Sequence, residues 1–246
     1  AFWKNAEMYN ESSRCMIEKW DVNCTEHPQV CGAALALQRE YEFMAAACMD
    51  KFMLKTDRRV TKTMLKGYEQ DMAANAPQPK YRCLVWACPA HYYTNFTYWT
   101  QHCWGVTCVN DMEAMLSYQP ITIGDKEQAL ADLVRCYEKM MMRSHTNGGY
   151  VNLLDECWKM CEKFHTNIVI MYDHVSCKNV GGLHGLFEDQ ARERGIHLIW
   201  IPHDVMDPRT VSRREMREAF SQYMVPVLNE TPLGPTPLEF EDTLSW

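Results

Sequence analysis

The feature that most constrains the fold is a series of short, continuous apolar runs in the second half of the sequence. The runs are residues 83–87, 105–109, 167–172 and 197–201. Runs of about five apolar residues, separated by longer amphipathic segments, are typical of strands buried on both faces by helices. The sequence therefore predicts an α/β fold with a doubly wound, mainly parallel four-stranded sheet, a flavodoxin- or Rossmann-like lobe.

The segments around these runs have helical periodicity. The predicted helices cover residues 93–104, 126–142, 150–164, 181–194 and 213–228. In the segment 150–164, Leu153, Leu154, Trp158, Met160 and Cys161 are available for burial on the sheet.

The first 75 residues have a different sequence pattern, with apolar and small residues at helical spacing and Pro28 as the only proline. We expect three or four helices there, one of them in the long run 33–53. Pro77 and Pro79 interrupt the pattern. These features predict a helical region at 1–79, which is the remainder of a preceding lobe or a set of linker helices.

The α/β lobe is predicted to occupy residues 80–229. Beyond it, Pro232, Pro235 and Pro237 prevent a further helix, so residues 230–246 are predicted to form an extended C-terminal tail.

Composition excludes several classes of protein. With 25 Lys and Arg against 32 Asp and Glu, the formal net charge is −7, so nucleic acid is not an expected partner. No stretch approaches the roughly 18 apolar residues of a membrane span, and the start of the chain has no signal-peptide pattern. Twelve cysteines in 246 residues are too few for a disulfide scaffold. They favour a reducing, anoxic, cytoplasmic location.

The expected site lies where the parallel strands end. In open parallel sheets, ligands bind beyond the carboxyl ends of the strands, which here are followed by loops 87–94, 173–182 and 202–212. Cys177 lies in the second loop beside Lys178, before Gly181 and Gly182. A thiolate beside an ammonium group and a helix start is a candidate nucleophile or metal ligand. The alternative is that Cys177 is a small packed residue.

Other residues in these loops are weaker candidates. His91, His174 and His203 each have the alternative of an ordinary loop histidine. Arg209 is a candidate for binding a phosphate or a carboxylate, while the neighbouring Asp207 is equally consistent with a turn.

The remaining cysteines and glycines lack diagnostic spacing. Cys83 and Cys88, and Cys157 and Cys161, do not have the spacing of a zinc or ferredoxin motif, so we expect packed residues. The sequence has no G-x-G-x-x-G after the first strand, no Walker A motif and no G-x-S-x-G elbow. NAD binding, ATP hydrolysis by this chain and a serine-hydrolase reaction are therefore not expected.

Several short segments of the lobe occur in an order that resembles the 2-hydroxyacyl-CoA dehydratase and benzoyl-CoA reductase family. They are YRCLVW at 81–86, Gly148-Gly149, SCK at 176–178 with Gly181 and Gly182, RGI at 194–196, Asp204, DPR at 207–209 and MREAF at 216–220. The resemblance covers about 150 residues, extends more weakly to 1–75, and is greatest to the α-type subunit.

The resemblance implies a cofactor. Subunits of that family hold a [4Fe-4S] cluster by three cysteines, two from an N-terminal lobe and one from a strand-end loop, and the last corresponds to Cys177. The first two have no counterpart here; either the chain is the C-terminal portion of a longer protein, or Cys15, Cys24 or Cys31 substitute, or the cluster is absent. Gly181 and Gly182 would lie at the cofactor, and Ser176, Lys178 and His174 would surround the cluster as catalytic residues.

The resemblance also implies a reaction and partners. The leading expectation is a subunit of an oxygen-sensitive (R)-2-hydroxyacyl-CoA dehydratase that removes water from a CoA thioester through a ketyl radical. His91 and Arg209 would contact the substrate. The partners would be a homologous second subunit and an ATP-dependent iron–sulfur activator protein. The alternatives are a subunit of ATP-dependent benzoyl-CoA reductase, a non-catalytic α/β scaffold, and a flavodoxin-like cofactor binder.

Overall fold

A computed structural model describes residues 1–32, 34–35, 37–38, 51–112, 119–138 and 141–233. The first part of the chain forms two long helices, α1 (Phe2–Asn23) and α2 (Lys51–Ala73), which pack against each other. Most of the predicted helix at 33–53 lies outside the described residues.

The following part alternates strands and helices as the apolar runs predict. In chain order it contains β1 (Tyr81–Trp86), a 3₁₀ turn (His91–Tyr93), α3 (Phe96–Trp104), β2 (Val106–Asp111), α4 (Lys126–Glu138), α5 (Met141–Lys163), β3 (Ile168–His174), α6 (Lys178–Gly181), α7 (His184–Arg194), β4 (His197–His203) and α8 (Arg213–Met224).

The four strands form one sheet in the order β2-β1-β3-β4, and all described pairs are parallel. The central strand residues are fully buried, which requires cover on both faces of the sheet. Helices lie between successive strands, so the prediction of a helical region followed by a doubly wound α/β sheet is confirmed.

Glycine ends two of the helices that cover the sheet. Gly105 after α3 and Gly195 after α7 have φ of 66° and 67°, a left-handed conformation that costs glycine little. In each case a buried strand begins within two residues. These glycines therefore turn the chain from a covering helix directly into the sheet.

Aromatic rings fill the space between the sheet and two of its helices. Phe96 on α3 contacts Trp99, Tyr172 on β3 and Phe220 on α8, with ring centroids 5.6, 6.1 and 5.9 Å away. These rings are buried, and both the stacked pair of Phe96 with Trp99 and the two edge-to-face pairs stabilise beyond the burial of their area. A capping box of Ser212 and Glu215 fixes the start of α8.

The two long N-terminal helices bury a charged pair where they meet. Asp57 on α2 accepts hydrogen bonds from the hydroxyl of Ser12 and from Lys19 Nζ, the latter at 3.4 Å, and all three residues are buried. A charge removed from water is tolerated only when it is paired and hydrogen-bonded. This group therefore sets the register between α1 and α2.

Most predicted elements are present, with differences at their ends. The helix predicted at 181–194 begins only at His184, because Gly181 ends the single turn of α6 and Gly182 follows it. The predicted helix 150–164 is longer, as α5 begins at Met141 and is kinked at Gly149, where φ is 71°. The predicted helix 126–142 is described as far as Glu138, and residues 139–140 lie outside the described residues.

Contacts group the chain into two compact units. One contains the described residues of 1–30, 37–78 and 113–156, and the other those of 31–36, 79–112 and 157–246. The domain bounds predicted from the sequence stay predictions. Among the described helices, none is both long enough and apolar enough to cross a membrane.

We predict that Lys19→Met lowers the free energy of unfolding by about 3 kcal/mol, because it leaves the buried Asp57 carboxylate without its cation. The double variant Lys19→Met with Asp57→Asn should recover part of this loss. Urea unfolding followed by circular dichroism of both variants and of each single substitution measures the coupling. Strictly additive effects of the two substitutions would contradict a buried ion pair.

Candidate functional site

The sheet order places a crevice at one end of the lobe. The chain passes from β1 outward to β2 and then returns to β3 on the other side of β1. The loops after β1 and β3 therefore diverge at the carboxyl ends of these strands, which is where doubly wound sheets bind ligands. The candidate site is this crevice with the adjoining end of β4, and all its residues belong to one compact unit.

Backbone hydrogen bonds hold the three strand-end loops together. The His91 amide donates to the Val205 carbonyl at 2.8 Å, and the Val175 amide donates to the His203 carbonyl at 3.0 Å. The Cys177 amide donates to the His174 carbonyl at 2.9 Å. The side chains around the crevice are therefore carried on a hydrogen-bonded frame.

The loop after β1 begins with an unfavourable backbone conformation. Ala87 has φ of 65°, a left-handed conformation that costs a residue with a Cβ roughly 1 kcal/mol or more. It turns the chain away from β1 so that Cys88 and His91 follow at the crevice. The Cys88 sulfur lies 3.9 Å from His91 Nε2, and both side chains are half-buried.

Cys177 lies between the end of β3 and the short helix α6. Its side chain is half-buried, and its carbonyl accepts the Gly181 amide at 3.1 Å, which closes the single turn of α6. Because α6 ends at Gly181, the long helix expected directly after Cys177 begins seven residues later, at His184. The Cys177 thiol therefore lies at the edge of the sheet and not at the start of a long helix.

His174 has a defined set of partners. Its Nδ1 accepts the Ser176 amide at 3.1 Å and lies 2.9 Å from the Ser176 hydroxyl. An Nδ1 that accepts an amide hydrogen carries no proton, so the neutral ring is protonated at Nε2. Nε2 is 4.0 Å from Asp204 Oδ2. Amides of Met206 and Asp207 donate to Asp204 and lower its pKa.

His203 lies beneath His174 and is fully buried. Its ring centroid is 5.4 Å from that of His174 and 5.0 Å from that of Tyr172. Neither ring nitrogen makes a hydrogen bond with the described residues. Burial, together with the neighbouring His174, lowers the pKa of His203 to about 4. The carbonyls of Cys88, Asp173 and Ile201 offset only part of this, so His203 is neutral at physiological pH.

Two candidates from the sequence lie at the surface. Arg209 is exposed and pairs with both carboxylate oxygens of Asp207, which lowers the pKa of that carboxyl to about 2. Lys178, the first residue of α6, is also exposed. The roles predicted for both side chains stay predictions.

The glycines predicted to lie at a cofactor close the turn after Cys177. Gly181 is the last residue of α6, and a Cβ on Gly182 would lie 2.9 Å from the Lys178 carbonyl oxygen. No residue larger than glycine therefore fits at 182 without a shift of this turn. A role for Gly181 and Gly182 in cofactor binding stays a prediction.

The structure also shows a pair that the sequence analysis did not find. Asp173, near the end of β3, lies 3.3 Å from Nε2 of His184, the first residue of α7. The His184 ring stacks on Trp200 of β4 with centroids 3.5 Å apart. A histidine at the start of the helix after a strand ending in a carboxylate is the sequence signal for this pair.

The described lobe is thus a doubly wound α/β lobe with thiol, imidazole and carboxylate groups at the switch point of its sheet. The family model of the 2-hydroxyglutaryl-CoA dehydratase D-component matches residues 1–224. The chain belongs to this family, as the resemblance read from the sequence predicts. A search of curated proteins found no match.

The described residues do not form a complete cluster site. Among them, no group of three or more His, Cys, Asp or Glu side chains is arranged to hold a metal ion. Cys177 is half-buried at the crevice, which suits a single ligand position, whereas Cys83, Cys157 and Cys161 are buried in the core. The described crevice therefore offers two half-buried thiols, Cys88 and Cys177, which are fewer than a [4Fe-4S] cluster requires.

We predict that acid destabilises the protein through His203. Its pKa is lowered from 6.5 to about 4 in the folded state, so the unfolded chain takes up a proton first as the pH falls. Stability is therefore fully present above pH 6.5 and is lost as the pH falls towards 4, by about 3 kcal/mol from this group.

The variant His203→Gln should remove this part of the pH dependence, whatever its stability at pH 7. Urea unfolding at several values between pH 4 and pH 7, compared for the two proteins, measures it. If the free energies of unfolding of the two proteins change in parallel with pH over this range, His203 does not titrate as described.

Proposed function

We propose that this chain is a catalytic subunit of an enzyme that removes water from a 2-hydroxyacyl-CoA thioester, and that Cys177 supplies one thiolate ligand of an iron–sulfur cluster. Family membership supports the dehydratase reaction. The observation that carries the site is the half-buried Cys177 thiol at the switch-point crevice, where a sheet of this topology receives a ligand.

The side chains around Cys177 are suited to orient a substrate and to hold a proton. His174 presents Nε2–H towards Asp204, and its Nδ1 is occupied by Ser176. His91 lies across the crevice beside Cys88. The exposed Lys178 and Arg209 provide positive charge for an anionic thioester ligand.

A cluster held in part by Cys177 would supply single electrons for the radical chemistry that the resemblance implies. The proposal requires further ligands from outside the described crevice. We propose a homologous second subunit and an ATP-dependent iron–sulfur activator protein as partners. An intracellular, anoxic location follows from the oxygen sensitivity of such a cluster.

The test of the cofactor is chemical analysis of protein purified without oxygen. We predict about four irons and four sulfides per chain in the native protein and loss of the cluster in Cys177→Ser. Cys136→Ser, a half-buried thiol on α4, is the matched control and should retain the cluster. Iron-free native protein, or a Cys177→Ser variant with full iron content, would remove the basis of the proposal and would favour a non-catalytic scaffold.

The substrate is tested on the assembled enzyme with its activator protein under reducing, anoxic conditions. 2-Hydroxyglutaryl-CoA should yield the unsaturated acyl-CoA, as expected for a dehydratase. Benzoyl-CoA is the comparison substrate, because reduction of its ring would assign the chain to the benzoyl-CoA reductase type instead. A yellow chromophore without iron would indicate a flavin-binding protein.

A further inference from the structure

Asp173 and His184 form a pair suited to proton transfer that is separate from the residues around Cys177 in the proposed function. It lies at the same carboxyl edge of the sheet as Cys177, four and seven residues from it along the chain. The side chain of His184 is 40% exposed and that of Asp173 is 31% exposed. The pair is therefore open to a ligand at the sheet edge, in contrast to the fully buried His203.

The plane of the His184 ring is fixed by its neighbours. The ring stacks on Trp200 with an interplanar angle of 22° and a centroid separation of 3.5 Å. Trp200 is itself held, because its Nε1 donates to Glu188 Oε1 at 2.6 Å. Glu188 belongs to α7, the helix that His184 begins, so the aromatic platform and the histidine are tied to the same element.

The surroundings of its two nitrogens determine the tautomer of His184. Nε2 is out of contact with solvent and lies 3.3 Å from Asp173 Oδ2, although the approach falls short of hydrogen-bond geometry. A carboxylate oxygen 3.3 Å away favours the positive N–H dipole over a lone pair at Nε2, so we place the proton of the neutral ring on Nε2. Nδ1 then carries the lone pair.

Nδ1 of His184 is accessible. It is not among the buried, unpartnered polar atoms of the described residues, and it has no hydrogen-bond partner among them. A histidine with a carboxylate at one nitrogen and an open lone pair at the other has the arrangement of a general base oriented by an acid.

We propose that Asp173 and His184 form the acid–base dyad of the dehydration reaction, with His184 as a catalytic residue that acts through Nδ1 and Asp173 as its positioning residue. This rests on the proposed dehydratase function. The substrate class is a 2-hydroxyacyl thioester with a hydrogen on C3.

The proton transfer balances as a dehydration. Over the whole reaction, hydroxide leaves C2 with the electron pair of the C2–O bond, the C3 proton passes to Nδ1, and the electron pair of the C3–H bond becomes the C2–C3 double bond. The hydroxide that leaves takes the proton back from Nδ1, so one water is released and His184 ends neutral. The reaction as a whole involves no net oxidation or reduction. The dyad accepts and returns the C3 proton, and the step that makes this hydrogen acidic is not assigned to it.

The kinetic test uses the assembled anoxic enzyme with 2-hydroxyglutaryl-CoA. His184→Gln should lower kcat by roughly 10²- to 10⁴-fold, the usual contribution of a general acid–base group, with KM and iron content little changed. Asp173→Ala should cause a smaller loss. His102→Gln is the matched control, because His102 also stacks on an aromatic ring, Tyr98, but on the exposed face of α3. Full activity of His184→Gln in an active enzyme would refute the dyad and leave the dehydratase function standing.

A second readout does not depend on activity. Nitrogen-15 NMR of histidine-labelled chain should show His184 protonated at Nε2 in the native protein and a loss of this preference in Asp173→Ala. An Nδ1-protonated His184 in the native protein would overturn the dyad even if the enzyme is active. If the enzyme does not dehydrate 2-hydroxyglutaryl-CoA but the tautomer is as predicted, the proposed substrate fails and the assignment of the basic nitrogen is supported.

Discussion

The candidate site depends above all on the pairing of β3 with both of its neighbours. β3 is hydrogen-bonded in parallel to β1 on one side and to β4 on the other, and with β4 it stays in register up to His174 and His203. This register decides which side chains emerge at the same level of the sheet edge. A shift of one residue would exchange the two faces and separate His174 from Asp204.

The same register explains why polar residues lie at the strand ends at little cost to stability. Asp173 and His174 continue β3, and their backbone groups are satisfied by the ladder to β4 even though their side chains are polar. The strand supplies the rigidity, and the last two residues supply the chemistry. The hydrogen bonds between His91 and Val205 and between Val175 and His203 extend this rigidity into the loops.

The sequence predicted the class of the fold because burial on both faces leaves a strong signal in the apolar runs. The ends of the strands are harder to predict from the sequence. A polar residue such as His174 or His203 interrupts the apolar pattern even where the hydrogen-bond ladder continues.

The helix after β3 was predicted as one segment, because the period of its apolar residues does not reveal the break at Gly182. Residues adjacent in sequence, such as Cys177 and Ser176, were found, whereas pairs formed by the packing of a helix on the sheet, such as Asp173 with His184, were not.

The three histidines near the end of β3 illustrate how burial divides their roles. His203 is fully buried with two unpartnered nitrogens, and the cost of charging it there explains its lowered pKa. A histidine whose protonated form is disfavoured by burial is a poor carrier of protons near neutral pH.

His174 is more open, but a serine occupies its basic nitrogen. His184 combines a carboxylate at one nitrogen with an open lone pair at the other, on a ring held by stacking. Proton transfer at this sheet edge is therefore favoured at His184, because it alone of the three combines an accessible, unoccupied nitrogen with a carboxylate beside its other nitrogen.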